Sequence, residues 1–229
     1  MKSVFIVFYI ILVTFLFRPT YSTYQYFKLS LQWPPSYQQQ YGVLTTQKNF
    51  TIHGLWPQNF SRPWPQFCSR STSASFNIKT ITSLRGQLAI DWPNLNGQKW
   101  NNNFWEDEWK KHGTCSLNNF KQLQYFSLAI GIKNKLDILR MLENAGIRPN
   151  ATVTYNYIDI VDAIKAKIGP YEPQLYCVMP HNNVVLLLEV RVCLDVNGAT
   201  YISCGNGYNS CQGNLINIPL PTTLKMIYW

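Results

Sequence analysis

The sequence predicts an α+β fold on a mostly antiparallel, disulfide-stabilised sheet with packed helices. Strand-like alternation stands near both ends of the chain, at Tyr24–Trp33 and Val184–Leu194, while helical spacing fills the middle from Ile78 to Ile168. Six cysteines (Cys68, Cys115, Cys177, Cys193, Cys204 and Cys211) form an even set that fits a disulfide framework. No repeat, linker or low-complexity tract divides residues 23–229, which are expected to be one domain.

In chain order, the first strand ends at Pro34-Pro35. Residues 36–48, rich in Gln and Tyr, are expected to be a loop. Asn49–Leu55 reads as a second strand ended by Gly54 and Pro57, and the Pro- and Ser-rich stretch 57–75 as surface loop tied down by Cys68. Helical spacing then links Ile78, Ile81, Leu84 and Leu88, up to Trp92-Pro93. A short helix is expected over 102–111, stopped by Gly113. Phe120–Ala145 carries the longest helical pattern, with a weak point at Gly131. Tyr157–Ile168 is a further helix with Ile158, Val161, Ile164 and Ile168 on one face. Strands at Leu175–Met179 and Val184–Leu194 flank a turn at His181-Asn182-Asn183, and short segments at Tyr201–Cys204 and Leu215–Ile218 complete the sheet.

Residues 1–22 read as a secretory signal peptide: Lys2, the apolar run Val4–Phe17, then the small residues of Thr20-Tyr21-Ser22. The run is shorter than the ~20 residues that span a bilayer, so a secreted, extracellular protein with no membrane anchor is expected. Export permits disulfides, and sequons at Asn49, Asn59 and Asn150 permit glycans. The formal charge is +9, or 9 − 2 = +7 without Lys2 and Arg18 of the signal peptide, and fits either solubility alone or an acidic partner: nucleic acid, an anionic glycan or a membrane surface.

Two segments carry the chemistry. One is Phe50-Thr51-Ile52-His53-Gly54-Leu55-Trp56-Pro57; the other runs from Phe104 to Cys115 and contains Glu108, Lys111 and His112. At helical spacing those three share one sector, with Trp105 and Trp109 beside them able to pack inward. His53 sits in an apolar strand, and Gly54 allows close backbone approach. A bridge between Cys68 and Cys115 would bring the two histidine segments together, although six cysteines leave 15 pairings open. Two imidazoles, a carboxylate and an ammonium suit proton transfer around a phosphodiester. The helix lacks the His-Glu-x-x-His of a zinc site, since Asp107 stands where the first histidine belongs, and His181 is expected in an exposed turn. No metal or other cofactor is expected.

Both segments resemble the active-site segments of the T2 ribonuclease family: His-Gly-Leu-Trp-Pro at 53–57 and Trp-x-x-Glu-Trp-x-Lys-His-Gly-Thr-Cys at 105–115. The resemblance extends to Gln32-Trp33-Pro34-Pro35, Trp92-Pro93-Asn94 and the last four cysteines, and within the family it is greatest to plant S-RNases. It implies metal-independent cleavage of single-stranded RNA through 2′,3′-cyclic phosphate ends. His112 would be the general base and His53 the general acid, with Glu108 and Lys111 stabilising the phosphorane. Gln32, Trp56, Asn94, Phe104 and Asp107 would contact substrate, and the bridges would be Cys68–Cys115, Cys177–Cys211 and Cys193–Cys204. An S-RNase would further imply a monomer with a role in self-incompatibility and a pollen-side protein partner. A stress-related or phosphate-scavenging ribonuclease is the alternative, and a decayed, basic RNA- or glycan-binding protein is another. The chain departs from the family in lacking the cysteine pair after Trp33-Pro34-Pro35, and in Asp107, where many members have a phosphate-contacting histidine.

Overall fold

The structure, a computed structural model, describes residues 24–97, 100–180, 183–205, 210–211, 213 and 215–221. The expected signal peptide and His181 lie outside them. Seven strands form one sheet: β1 (Tyr26–Gln32), β2 (Thr51–Gln58), β3 (Thr154–Asn156), β4 (Gln174–Val178), β5 (Leu186–Asp195), β6 (Tyr201–Ile202) and β7 (Leu215–Asn217). The order is β2-β1-β5-β7-β3, with β4 and β6 also pairing with β5. All pairings are antiparallel except the single β5–β7 bridge, Leu186 to Asn217. Among the described residues six α-helices pack around it: α1 (Pro34–Tyr41), α2 (Arg85–Asp91), α3 (Asn101–Lys111), α4 (Gln122–Lys135), α5 (Ile138–Asn144) and α6 (Tyr157–Ile168).

Strand β1 explains why the sheet has two unlike faces. Phe27, Leu29 and Leu31 pair with Pro57, Leu55 and Ile52 on one side and with Leu194, Val192 and Val190 on the other, making an apolar face. The alternate residues Lys28, Ser30 and Gln32 pair with Trp56, Gly54 and Thr51 and with Cys193, Arg191 and Glu189. The site is built on this second, polar face. The apolar residues belong to a core that includes Trp92, Trp105, Trp109, Tyr125 and Phe126, all buried. Burial of each such side chain contributes roughly 1.5–3 kcal/mol.

Several local expectations are corrected. Residues 34–41 are helix α1, not loop: prolines suit the first helical positions, where a missing N–H costs nothing. Gly42, at φ 69°, closes that helix by donating its N–H to the Gln38 carbonyl at 2.9 Å. Strand β2 runs on through Gly54 and Pro57 to Gln58, and proline is tolerated because β2 is an edge strand. The helix expected over 78–92 is a 3₁₀ segment, Ile78–Leu84, followed by α2. The long pattern at 120–145 breaks at Leu136-Asp137 instead of Gly131, because Asp137 caps α5 by accepting the Arg140 N–H. In α6 the buried face is Ile160, Val161, Ile164 and Ile168, and Ile158 is exposed. Strand β3 is too short to show in the sequence pattern. The cysteines are joined Cys68–Cys115, Cys177–Cys211 and Cys193–Cys204.

Candidate active site

Strand β2 presents the first histidine at an irregularity. Ser30 of β1 pairs with Gly54 and Leu31 with Ile52, so His53 is the extra residue of a β-bulge. A bulge re-aims a side chain without ending the strand. The His53 carbonyl accepts a hydrogen bond from Trp92 Nε1 at 2.9 Å. Glycine follows because nothing larger fits: a β-carbon at Gly54 would collide with the Trp56 indole nitrogen and the Glu108 carboxylate.

Helix α3 presents the other groups. Trp105 and Trp109 face the core, their Nε1 atoms donating to the carbonyls of Trp92 and Ala74, both at 2.8 Å. Glu108 is thereby buried near β2, where it accepts from Trp56 Nε1 at 3.3 Å. His112 follows the end of the helix, buried, its N–H still bonded to the Glu108 carbonyl at 2.9 Å. Gly113 lies so close to the Trp109 ring that a β-carbon would collide with it. The Cys68–Cys115 bridge, with a hydrogen bond from Phe67 N–H to the Lys111 carbonyl at 2.8 Å, ties the loop after β2 to this helix end.

Trp56 stands between the two imidazoles. Its ring centroid is 5.2 Å from that of His53, edge-on, and 5.7 Å from that of His112. It therefore touches both histidines as well as Glu108. The other expected substrate residues, Gln32, Asn94, Phe104 and Asp107, line a cleft of about 210 Å³ that also includes His53, Tyr37, Leu95 and Asn96. Asp107 is exposed. Asn101 Oδ1 accepts the Asn94 N–H at 2.8 Å, holding that wall of the cleft to the start of α3. Of the sequon asparagines, Asn49 is exposed, and Asn59 and Asn150 are half-buried.

Two functional candidates escaped the sequence reading. Glu189 of β5 is buried, with Oε1 2.5 Å from His53 Nδ1. Its Oε2 accepts from Arg191 Nε at 2.7 Å and Nη2 at 2.5 Å. The available signal was a carboxylate and a guanidinium two residues apart inside an apolar strand, since buried charges are paired. Among the described residues no three His, Cys, Asp or Glu side chains converge as a metal-ligand set.

The sequence profile of the Ribonuclease T2 family matches residues 24–204. The chain belongs to this family. It is 34% identical over 217 residues to Ribonuclease S-7 of Nicotiana alata, covering 92% of this chain and 89% of that protein. It is also 34% identical over 191 residues to Extracellular ribonuclease LE of Solanum lycopersicum, covering 79% and 80%. The crystal structure of RNase NT in complex with 5′-AMP superposes with a TM-score of 0.76 at 28% identity, covering 86% of this chain and 98% of that one. The chain is thus a T2-type endoribonuclease with the family's α+β fold.

In this T2 ribonuclease the two imidazoles are pushed in opposite directions. His53 sits above its ordinary value: packing around the ring disfavours the cation, but the Glu189 hydrogen bond and charge, joined by Glu108, outweigh it. Its side chain is 39% exposed, so solvent softens the packing penalty. His112 is pushed down to about 3 by burial first, then by the charges of Lys111 and His53. Its Nδ1 is buried without a hydrogen-bond partner among the described residues, so nothing there favours a second proton. Burial raises Glu108 to about 7, with His53, Trp56 and Lys111 opposing only part of the effect. Glu189 is drawn down to about 2, because its bonds to His53 and Arg191 overcome the cost of burial.

Proposed function

We propose that this T2 ribonuclease cleaves single-stranded RNA by metal-independent transphosphorylation. The observation that carries the proposal is the pair of imidazoles flanking Trp56, one buried with no hydrogen-bond partner at Nδ1 among the described residues and the other bonded to the Glu189 carboxylate. Groups whose environments separate their pKa values define base and acid. Neutral His112 takes the proton of the ribose 2′-OH as that oxygen attacks phosphorus. The P–O5′ bond breaks, and His53 gives its proton to the departing 5′ oxygen. The products are a 2′,3′-cyclic phosphate and a free 5′-hydroxyl. Lys111 and the Glu108 carboxyl, protonated below about pH 7, stabilise the charge developing on the non-bridging oxygens. The 2′-OH requirement restricts the reaction to RNA. Gln32, Asn94, Phe104 and Asp107, in the cleft beside His53, are placed to meet a nucleotide.

The pH dependence has a definite sign. Activity requires neutral His112, so kcat/KM rises as pH climbs through about 3. It requires protonated His53, so kcat/KM falls as pH climbs past that group's raised value, above 6.5. The expected profile is a broad plateau on the acid side of neutrality, unchanged by excess chelator, with cyclic phosphate ends as first products. Loss of cleavage in chelator, or an optimum on the alkaline side, would sink the mechanism.

We further propose export and a pistil role in self-incompatibility. The apolar run Val4–Phe17 supports export, and the charge of 9 − 2 = +7 that remains without Lys2 and Arg18, together with the 92% coverage by an S-type relative, supports the role. A secreted cytotoxin of this kind acts as a monomer and meets a pollen-side protein. Transcript and protein are expected in styles; their confinement to roots or senescing leaves would favour the stress-related function.

A further inference from the structure

Glu189 and Arg191 play no part in the proton transfers described above, yet they place a charge pair against the catalytic strand. They occupy alternate positions of β5, and their β1 partners are Gln32 and Ser30, so both lie on the polar face. Glu189 is 3% exposed. Leaving a carboxylate there costs several kcal/mol unless its lone pairs are met. One oxygen meets His53 Nδ1 and the other meets Arg191. The guanidinium is held in turn over two rings, 4.7 Å from the Tyr176 centroid and 5.5 Å from that of Trp56. Tyr176, Arg191, Glu189 and His53 thus form one line of contacts ending on the acid.

We propose that Glu189 is the positioning residue of the general acid, fixing His53 through Nδ1 so that Nε2 carries the proton given to the 5′ oxygen, with Arg191 locking the carboxylate in place. The inference rests on the transphosphorylation reading of the site. The hydrogen bond made by one ring nitrogen decides what the other can do. In the imidazolium both nitrogens carry protons. When Nε2 gives its proton to the leaving oxygen, the remaining neutral ring keeps its Nδ1 proton against Glu189, so the product tautomer is already hydrogen-bonded. The other charged or titratable groups near His53 are Arg191 on β5, Glu108, Asp107 and Lys111 on α3, His112 beyond it, and Tyr37 on α1. The group hydrogen-bonded to Nδ1 is Glu189.

The test is Glu189→Gln, which keeps the shape and an acceptor but removes the charge. It is assayed on a dinucleoside monophosphate and on the matching nucleoside 3′-(4-nitrophenyl phosphate), whose leaving group departs without a proton. On the dinucleotide kcat is expected to fall by about 10- to 100-fold, within the 10²–10⁴ that an acid contributes, with KM nearly unchanged. On the aryl ester the loss is expected to be about twofold or less, because acid assistance is not needed there. The alkaline limb of the dinucleotide profile is expected to move down by about 1–3 units as His53 loses its counter-charge. Equal losses on both substrates, no loss on either, or an unmoved alkaline limb would overturn the proposal. Should the variant fail to fold, the His53 ring is titrated by NMR in the parent protein. A midpoint above 6.5 supports the proposal, and one at or below it overturns it. A parent protein that leaves the dinucleotide intact would instead sink the transphosphorylation mechanism, and the NMR titration still reads the Glu189 contact.

Discussion

Replacing His112 or His53 by alanine is expected to lower kcat on RNA by ~10²–10⁴-fold in each case, with the fold intact. His112 is buried and neutral, so its loss leaves a small cavity and no orphaned charge. His53 is bonded to Glu189 Oε1, but its side chain is 39% exposed, so water can take the place of the imidazole there while Arg191 keeps Oε2. The two variants should differ in kind. Without His112 nothing accepts the 2′ proton, so a substrate with an easily departing aryl group is cleaved as poorly as RNA. Without His53 only the leaving group lacks help, so the aryl substrate recovers most of the rate. The reverse pattern would exchange the roles, and full activity in either variant would remove that histidine from the mechanism. The acid limb near about 3 should vanish in the His112 variant alone.

Opening the Cys68–Cys115 bridge by a double serine substitution is expected to cost ~4 kcal/mol, from the entropy returned to an unfolded chain whose cross-linked residues are 47 apart. For a protein of this size that lowers Tm by about 10 °C. Cys193–Cys204, separated by 11 residues, should contribute only ~3 kcal/mol by the same reasoning. The larger bridge also has a local effect. It lies beside the Phe67–Lys111 hydrogen bond, at the helix end that leads into His112. Turnover below the melting transition should therefore fall as well. Calorimetry and RNA cleavage check both halves, and an open form with unchanged Tm and rate would mean that the bridge holds nothing the site depends on.

The two histidine segments were legible in sequence because each is local. Glu108, Lys111 and His112 are related by one turn of helix, and Gly54 announces a close approach that proves to be Glu108 and Trp56. Glu189 was not legible, because it is 136 residues from His53 and the two meet only through the pairing of β1 with both β2 and β5. Tyr37 reaches the cleft from α1, and Pro34-Pro35, which stop the strand, hide the helix they also begin. The break between α4 and α5 falls at Asp137, whose capping capacity outweighs the weak point that Gly131 offers. The disulfide pairs could not be reached from counting; they needed either a family resemblance or coordinates.

The bulge at His53 takes that residue off the β1 ladder, and an indole takes up its carbonyl. Trp92 holds the His53 carbonyl, and Trp105 holds the carbonyl of Trp92 from within the helix that bears Glu108. Tyr125 of α4 donates to the Leu55 carbonyl two residues along at 2.6 Å. Strand and helix are thus laced through buried rings in place of a backbone ladder. The segments that bear His53 and His112 are consequently expected to open together, because parting them means pulling tryptophans out of the core.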